Sequence, residues 1–233
     1  MSEYGYVKRN YEALLDEISE YEKRLGRKIT LVCVTKSGSD EELSALAEAG
    51  ARDLGENRPG ELKRRAELLR SKGYTPRFHE IGNLQRNKVK LVIDEAALIH
   101  SVGKYELAEV ISRQAVSLGV TVPVLIEINS GREENKGGVM PEDAEDLFLK
   151  VRELQGISVC GLMTMGPALD DSEKMRPYFR LTKEIFDRIN KDYGFVGEGI
   201  LSMGMSDSYA VAIEEGSTLI RVGRKLFDKN EGR

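Results

Sequence analysis

The sequence has no tryptophan, only two cysteines and two histidines, and aromatic residues make up 6% of its 233 positions. So few aromatic side chains leave little material on which nucleic-acid bases could stack. The net charge of -4 and the pI near 5.5 offer no basic face, and no block of one sign dominates any region. We therefore expect no nucleic-acid partner.

Long apolar runs are also missing. The opening MSEYGYVKRNYEALLDEISE is polar and helical, unlike a signal peptide, and no window reaches the length of a membrane span. Cys33 and Cys160 each lie in an apolar run without CxxC spacing, so we expect two buried thiols rather than a disulfide or a zinc site. Two histidines without HExxH spacing do not indicate a metal site either. We predict a soluble cytoplasmic protein with no metal and no membrane partner.

Short apolar runs alternate with longer amphipathic stretches along the chain. A first helix, with apolar residues at three- and four-residue spacing, is predicted to end at Gly26. Eight apolar runs follow and are interpreted as strands: Ile29–Val34, Ala51–Leu54, Arg77–Ile81, Ala97–His100, Val122–Ile128, Ile157–Leu162, Gly199–Leu201 and Thr218–Val222. The helical patterns between them are Glu41–Glu48, Gly60–Ser71, Gln85–Ile93, Lys104–Leu118, Pro141–Leu154, Ser172–Lys191 and Asp207–Glu214, with Asp40 and Asp207 as predicted caps.

Alternating strands and helices predict parallel strands joined by crossover helices. Eight strands in a chain of this length favour an α/β fold, a closed (β/α)8 TIM-type barrel preceded by an extra N-terminal helix. A doubly wound open sheet remains the alternative, because periodicity does not show closure. No linker or low-complexity tract interrupts the chain, so we predict one domain over residues 1–233.

Polar residues and glycines follow most of the runs, and in a barrel these positions form the functional face. Lys36 follows the first run, where it is either a solvated strand end or a nucleophilic amine. Ser202, Gly204 and Gly223 follow the last two runs, near a helix predicted to open at Ser206-Asp207. They are either turn residues or a phosphate cradle. A lysine opposite a phosphate cradle is typical of a phosphorylated carbonyl compound held as a Schiff base, which leaves a class I aldolase and a pyridoxal phosphate protein open.

Motifs over nearly the whole chain resemble the YggS/PROSC-type pyridoxal phosphate homeostasis proteins, which are related in fold to the N-terminal domain of bacterial alanine racemase. Their order and spacing make the resemblance specific. The motifs are VTKSGS, DLGENRPGEL, FHEIGNLQRNKVKLV, HSVGKYELAEVI, VLIEINSGREENKGGV, GLMTMGP, LSMGMSDSYAVAIEEGSTLIRVG and a terminal LFD.

The resemblance implies that pyridoxal phosphate, the vitamin B6 cofactor, is joined as an internal aldimine to Lys36. It also implies that Arg221 faces the pyridine nitrogen and that Asn57 lies near the cofactor. His79 and Met165 fall on strand ends that are expected to face the same cavity.

The phosphate-binding positions implied by the resemblance are Ser202, the backbone of Met203 and Gly204, Gly223 and the following Arg224. Arg224 departs from the family pattern, which often has a small hydroxyl residue there, and Asp228 stands where glycine is common. The arginine either replaces the lost hydroxyl contact or points to solvent while its backbone N–H binds. We expect cofactor binding to survive both changes.

Arginine has donors only and is always cationic, so Arg221 is expected to keep the pyridine nitrogen unprotonated and weaken carbanion stabilisation. The chain ends at Arg233, and we expect no racemase-like second domain; His100 is expected to be a satisfied strand-end histidine away from the motifs. We therefore predict a monomeric pyridoxal phosphate carrier without robust turnover, which buffers the cofactor and passes it transiently to apo-enzymes. An amino-acid racemase and a class I aldolase remain the alternatives.

Overall fold

The computed structural model describes residues 3–229 and shows a closed barrel of eight parallel strands. Each strand pairs with the next, and β8 returns to pair with β1, which confirms closure over the open sheet. The ends of the predicted domain, residues 1–2 and 230–233, lie outside the described residues. The strands are β1 (Thr30–Val34), β2 (Asp53–Glu56), β3 (Arg77–Glu80), β4 (Ala96–Val102), β5 (Val122–Ile128), β6 (Ile157–Thr164), β7 (Ile200–Ser202) and β8 (Leu219–Val222).

Helices surround the barrel. They are α1 (Gly5–Leu25), α2 (Asp40–Glu48), α3 (Pro59–Ser71), α4 (Tyr105–Leu118), α5 (Ala144–Arg152), α6 (Arg176–Asp192), α7 (Tyr209–Glu214) and α8 (Arg224–Phe227). Short 3-10 turns cover Arg86–Leu91, Pro141–Asp143 and Ser172–Met175. The helix predicted over Gln85–Ile93 is therefore only a 3-10 turn, and the short α8 was not predicted.

The extra N-terminal helix α1 ends where the sequence indicates. Gly26 adopts a left-handed conformation with φ 66°, and its N–H closes the helix on the Glu22 carbonyl. On the buried face, the Asn10 side chain donates hydrogen bonds to the carbonyls of Leu226, at 3.3 Å, and Asp228, at 2.8 Å. The first helix is thus tied to the segment that follows β8.

Two predicted helix caps are one residue off. Ser39, rather than Asp40, caps α2: its side chain accepts from the Glu42 N–H while the Glu42 carboxylate accepts from the Ser39 N–H. Ser208, rather than Asp207, precedes α7 and makes no side-chain cap. A run of Ser and Asp residues offers neighbouring capping groups, and only the backbone path selects between them.

The barrel interior is layered because alternate residues of a strand face the same side. Leu98 and Leu219 belong to a small apolar cluster that also contains Val32, Leu125, Cys160 and Met163. Two residues further along the same strands, the inward positions become polar, at His100 and Arg221. The larger apolar core packs between the strands and the helices. The polar layer lies toward the carboxyl ends of the strands, where the site is expected.

Both cysteines are buried, as expected, and burial raises the pKa of each thiol. In the part of the chain that the structure describes, no helix is long and apolar enough to cross a membrane. Over residues 3–229 no group of three or more His, Cys, Asp or Glu side chains is placed to hold a metal ion.

Candidate functional site

Lys36 lies at the mouth of the barrel, two residues beyond the end of β1. The N–H of the preceding Thr35 donates to the Gly55 carbonyl at 3.0 Å, which fixes the backbone beside the end of β2. The Lys36 side chain is exposed, and it makes no hydrogen bond or ion pair with any described residue. An unpaired primary amine therefore stands at the carboxyl end of the strands.

A buried ion pair supports the turn that carries Lys36. Glu56, 2% exposed, accepts from the Arg65 guanidinium of α3 at 2.8 Å and from the Thr35 hydroxyl. Arg65 also donates to the carbonyls of Thr35 and Gly38, the latter at 2.8 Å. The guanidinium thus joins both sides of the lysine turn to the end of β2, which leaves Glu56 as a partner of Arg65.

Asn57 follows β2 with a buried side-chain oxygen, Oδ1, that has no hydrogen-bond partner in the described chain. Its backbone is approached closely by Gly82, where a Cβ would lie 2.1 Å from the Asn57 carbonyl oxygen. Buried acceptors are usually paired, so this unused oxygen indicates a ligand group that donates to it.

Gly82→Ala is expected to lower the free energy of unfolding by about 1–3 kcal/mol, because the added methyl must displace the Asn57 backbone. Gly60→Ala is the matched control: its Cβ meets nothing within 4 Å and lies in α3, so the gain is about 0.5–1 kcal/mol. Chemical denaturation of the two variants beside wild type measures both. A neutral Gly82→Ala would contradict the close approach.

Glu80, at the end of β3, is a fully buried carboxyl without a cationic partner. The Gly82 N–H donates to its Oε1 at 3.0 Å, whereas Oε2 has no partner among the described groups. Burial raises its pKa to about 7, the Gly82 hydrogen bond opposes the shift and the Glu56 charge adds to it. Near neutral pH this carboxyl is therefore partly protonated.

Glu80→Gln is expected to stabilise the protein at pH 8 by up to about 3 kcal/mol. The folded pKa of about 7 lies above the ordinary 4.5, so the wild type loses stability as pH rises from about 4.5 to 7, and glutamine does not. The difference between the two proteins should disappear below about pH 5. Denaturation curves across that range test this, and a difference that is independent of pH would refute the assignment.

Arg221 reaches across the barrel interior from β8 and is 4% exposed. It donates to the Ser202 hydroxyl and, at 3.0 Å, to the Thr164 carbonyl. No described carboxylate lies within ion-pair distance. Burial lowers its pKa to about 10, opposed by the charge of Glu127, so the guanidinium stays cationic at neutral pH. Buried charges in proteins are usually paired, so this guanidinium is suited to bind a ligand that carries a hydrogen-bond acceptor or a negative charge.

Ser202 continues this network toward the opposite end of the barrel. Its Oγ lies 3.0 Å from His100 Nδ1, His100 Nε2 lies 2.9 Å from His79 Nδ1, and His79 Nε2 lies 2.9 Å from Asp53 Oδ1. Both ring nitrogens of His79 are thus occupied by protein groups. Direct contact of His79 with a cofactor remains a prediction. Its hydrogen bonds to Asp53 and His100 indicate that it supports His100 from behind the site.

His100 differs from its predicted place. It is satisfied by hydrogen bonds as expected, but it lies inside β4, which runs on to Val102, and it contacts Ser202 of the LSMGMSDSYAVAIEEGSTLIRVG motif. The strand-end assignment was wrong because the apolar run was taken to stop at the histidine. The inward alternation of Leu98 and His100 was the signal that could have found it.

The ends of β7 and β8 form a weaker cradle than the sequence suggests. The helix α7 begins at Tyr209 and has six residues, so the predicted helix start at Asp207 is wrong and little dipole is available. Gly204 has φ 93°, and its amide has no hydrogen-bond partner among the described residues. Backbone groups, rather than a helix terminus, are therefore what this part offers an anion.

The remaining phosphate candidates already have hydrogen-bond or ion-pair partners within the protein. Ser202 is fully buried and its hydroxyl is shared between His100 and Arg221. The Arg224 side chain forms an exposed ion pair with Asp207, so its contact with a phosphate through the side chain finds no support here. The Gly223 N–H donates to the Ser206 hydroxyl at 3.2 Å, and Met203 is buried with its N–H on the Leu219 carbonyl.

The structure thus brings Lys36, Asn57, Arg221 and the Gly204 backbone to one end of the barrel. Met165 follows β6 there and is 38% exposed. A cavity of about 910 Å³ opens at the same end, over the loops that follow β3, β4 and β5, with buried Ser101 and Glu127 in its wall. The GREENKGG segment forms part of that wall.

Comparisons with known proteins identify the family and the fold. The family model described as alanine racemase, N-terminal domain, matches residues 10–230. A pyridoxal phosphate homeostasis protein of Aquifex aeolicus is 39% identical over 94% of this chain and 96% of its own. The structure of PipY from Synechococcus elongatus with pyridoxal phosphate bound has a TM-score of 0.83 and 25% identity, covering 95% of this chain and all of PipY. An alanine racemase of Clostridium difficile shares the fold, with a TM-score of 0.74 and 20% identity; the match covers 96% of this chain and 59% of the racemase.

Proposed function

Because the chain belongs to the pyridoxal phosphate homeostasis proteins, a family with the fold of the alanine racemase N-terminal domain, we propose that it holds pyridoxal phosphate on Lys36 and supplies it to apo-enzymes. The observation that carries this proposal is the Lys36 amine, unpaired among residues 3–229, at the same barrel end as the buried Arg221 guanidinium, which makes no ion pair with a described carboxylate. When bound, the cofactor supplies an aldehyde that condenses with a primary amine and releases water.

The other unused groups of this barrel end fit the same ligand. The Asn57 Oδ1 is a buried acceptor suited to the ring hydroxyl, and the Gly204 amide is a donor suited to a phosphate oxygen. The Arg221 guanidinium faces the ring nitrogen in this proposal. The backbone of Arg224 completes the phosphate side in this proposal, and Gly223 and Met203 shape the same loops while their own N–H groups donate to Ser206 and Leu219. Met165 lies around the cofactor, and His79 lies behind it.

We further propose that the protein binds the cofactor without robust turnover. Arg221 has donors only, so it holds a ring nitrogen in the unprotonated state, which is the weaker electron sink. The chain acts, in this proposal, as one monomeric barrel domain of residues 1–233 in the cytoplasm, with no nucleic acid or membrane as a partner.

The test is a loading and transfer experiment with the full chain. Protein incubated with pyridoxal phosphate and passed through a desalting column should retain about one equivalent and absorb visible light. The loaded protein should then reactivate an apo-enzyme that requires the cofactor. Loss of all cofactor on the column would overturn the binding proposal, and loading without reactivation would overturn the carrier proposal. Racemisation of alanine at ordinary enzyme rates would overturn the proposed lack of turnover.

A further inference from the structure

Five polar side chains form one continuous chain through the barrel interior, and part of it has no role in the proposed site. Asp53, the first residue of β2, bonds to His79, and His79 bonds to His100. His100 bonds to Ser202 across the barrel interior, and Ser202 bonds to Arg221. All five residues are at most 7% exposed. The chain therefore joins the amino end of the barrel to the guanidinium below its mouth.

The two ends of this chain fix the direction of its outermost hydrogen bonds. A guanidinium has only donors, and an ionised carboxylate has only acceptors. Arg221 must donate to Ser202 Oγ, and Asp53 must accept from His79 Nε2–H. A neutral His100 with its proton on Nε2 donates to His79 Nδ1, and His100 Nδ1 then accepts the hydrogen bond of the Ser202 hydroxyl.

The charge states agree with this direction. Burial disfavours the charged form of Asp53, but hydrogen bonds from His79 and Arg77 outweigh it and lower its pKa. Burial, aided by His79 and Arg221, lowers the pKa of His100 well below its ordinary value, so the imidazole is neutral. A neutral His100 with Nε2–H is the form that leaves Nδ1 free to accept.

We propose that His100 is a positioning residue for the cofactor site. It accepts a hydrogen bond from the Ser202 hydroxyl, which leaves the lone pairs of the Ser202 oxygen to accept from Arg221. This inference rests on the proposed function. Two of the five guanidinium N–H groups are then fixed, one on Ser202 and one on the Thr164 carbonyl, which sets the plane of the guanidinium. Asp53 and His79 act further back, by fixing the tautomer of His100.

Through this hydrogen-bonded chain, residues at the amino end of the barrel affect the orientation of Arg221 near the carboxyl end. Asp53 and His79 line a cavity of about 500 Å³ at the amino ends of the strands, beside Arg77. In the strand register, Asp53 of β2 lies beside Val32 of β1. Val32 is four residues before Lys36, so Asp53 is about 13 Å from Lys36 along the strand direction. A substitution at Asp53 thus alters the chain without touching the proposed cofactor site.

The first test needs no cofactor. The sequence has only two histidines, so 15N-histidine labelling gives four ring-nitrogen signals. His100 should be the neutral Nε2–H tautomer at pH 7, with its Nδ1 unprotonated. An Nδ1–H tautomer or a charged ring at His100 would overturn the proposed direction, whether or not the protein binds pyridoxal phosphate.

The second test compares variants at His100 by titration with pyridoxal phosphate. His100→Phe should raise the Kd at least tenfold and shift the visible absorption maximum, because Ser202 loses its acceptor. His100→Gln keeps an acceptor for Ser202 and a donor for His79, so it should stay within about threefold of wild type. Leu98→Ala, two residues earlier on the same inward face, should lower the melting temperature and leave the Kd unchanged.

The outcomes separate positioning from stability. Equal binding by His100→Phe and wild type would overturn the proposal, as would losses in Leu98→Ala that match those of His100→Phe. If His100→Phe does not fold, Asp53→Asn replaces it, with an expected Kd increase of at least threefold and a second tautomer of His100 in the 15N spectrum. No change in either readout would overturn the proposal. Wild-type protein that binds no cofactor would instead refute the proposed function and leave the tautomer result standing.

Discussion

Lys36→Ala should abolish the visible absorption of protein loaded with pyridoxal phosphate, and the cofactor should then be lost on desalting. The side chain is the exposed, unpaired amine at the barrel mouth, and alanine offers no nitrogen with which an aldehyde can condense. Cofactor held only by hydrogen bonds and phosphate contacts has no covalent link to retain it. We expect a Kd increase of at least a hundredfold, measured by equilibrium dialysis because the visible band is gone.

The control for this change is Lys28→Ala. The Lys28 side chain is 92% exposed and lies at the amino end of the barrel, paired with Glu22. Its loss should leave loading, absorption and Kd as in wild type. Borohydride reduction followed by peptide mapping gives an independent check, since the label should fall on the peptide that contains Lys36. Label on another lysine in the wild-type protein would overturn the assignment of the amine, even if loading is stoichiometric.

Arg65→Ala should be the most destabilising single change near the site, at about 3–5 kcal/mol. Removal of the guanidinium leaves Glu56 buried and unpaired, and it also removes the donors to the Thr35 and Gly38 carbonyls on both sides of Lys36. The turn that carries Lys36 should also become more mobile, because its two carbonyl contacts with Arg65 are lost. Chemical denaturation measures the first effect, and the rate of cofactor loading measures the second.

Arg64→Ala is the matched control for this pair. Arg64 is the neighbouring residue of α3, 45% exposed, and pairs with Asp40 and Glu61 at the surface. Exposed ion pairs contribute little, so the change should cost at most about 1 kcal/mol. Glu56→Gln in the Arg65→Ala background should recover part of the lost stability by removing the unpaired charge. Equal losses at positions 64 and 65 would contradict the buried role of Arg65.

Much of the fold follows from local patterns. Alternating apolar runs and amphipathic stretches identified all eight strands, and Gly26 marked the end of α1. The errors lie where local signals are ambiguous. A short amphipathic stretch after β3 became a 3-10 turn, and neighbouring Ser and Asp residues left the caps of α2 and the start of α7 one or two residues off.

The site divides in the same way. The motif around Lys36 and the glycines after β7 and β8 could be recognised because they follow apolar runs. The contacts of Ser202 and Arg224 could not be recognised, since each depends on a partner from another element: His100, 102 positions away in β4, for the first, and Asp207 in the loop before α7 for the second. The buried Arg65 also looked like an ordinary helix residue, because its partner Glu56 lies on a strand.

The sequence by itself determined the alternation of eight strands with helices, the position of Lys36 after the first strand, and the family resemblance. These depend on residue order, spacing and alternation, which act over a few residues or one repeat of strand and helix. Only the tertiary structure decided which inward side chains meet across the lumen. Closure of β8 onto β1 sets the strand register, and that register brings Asp53, His79, His100, Ser202 and Arg221 into one hydrogen-bonded chain. The contact between His100 and Ser202 across the closed barrel joins residues 102 positions apart, and no local pattern encodes it.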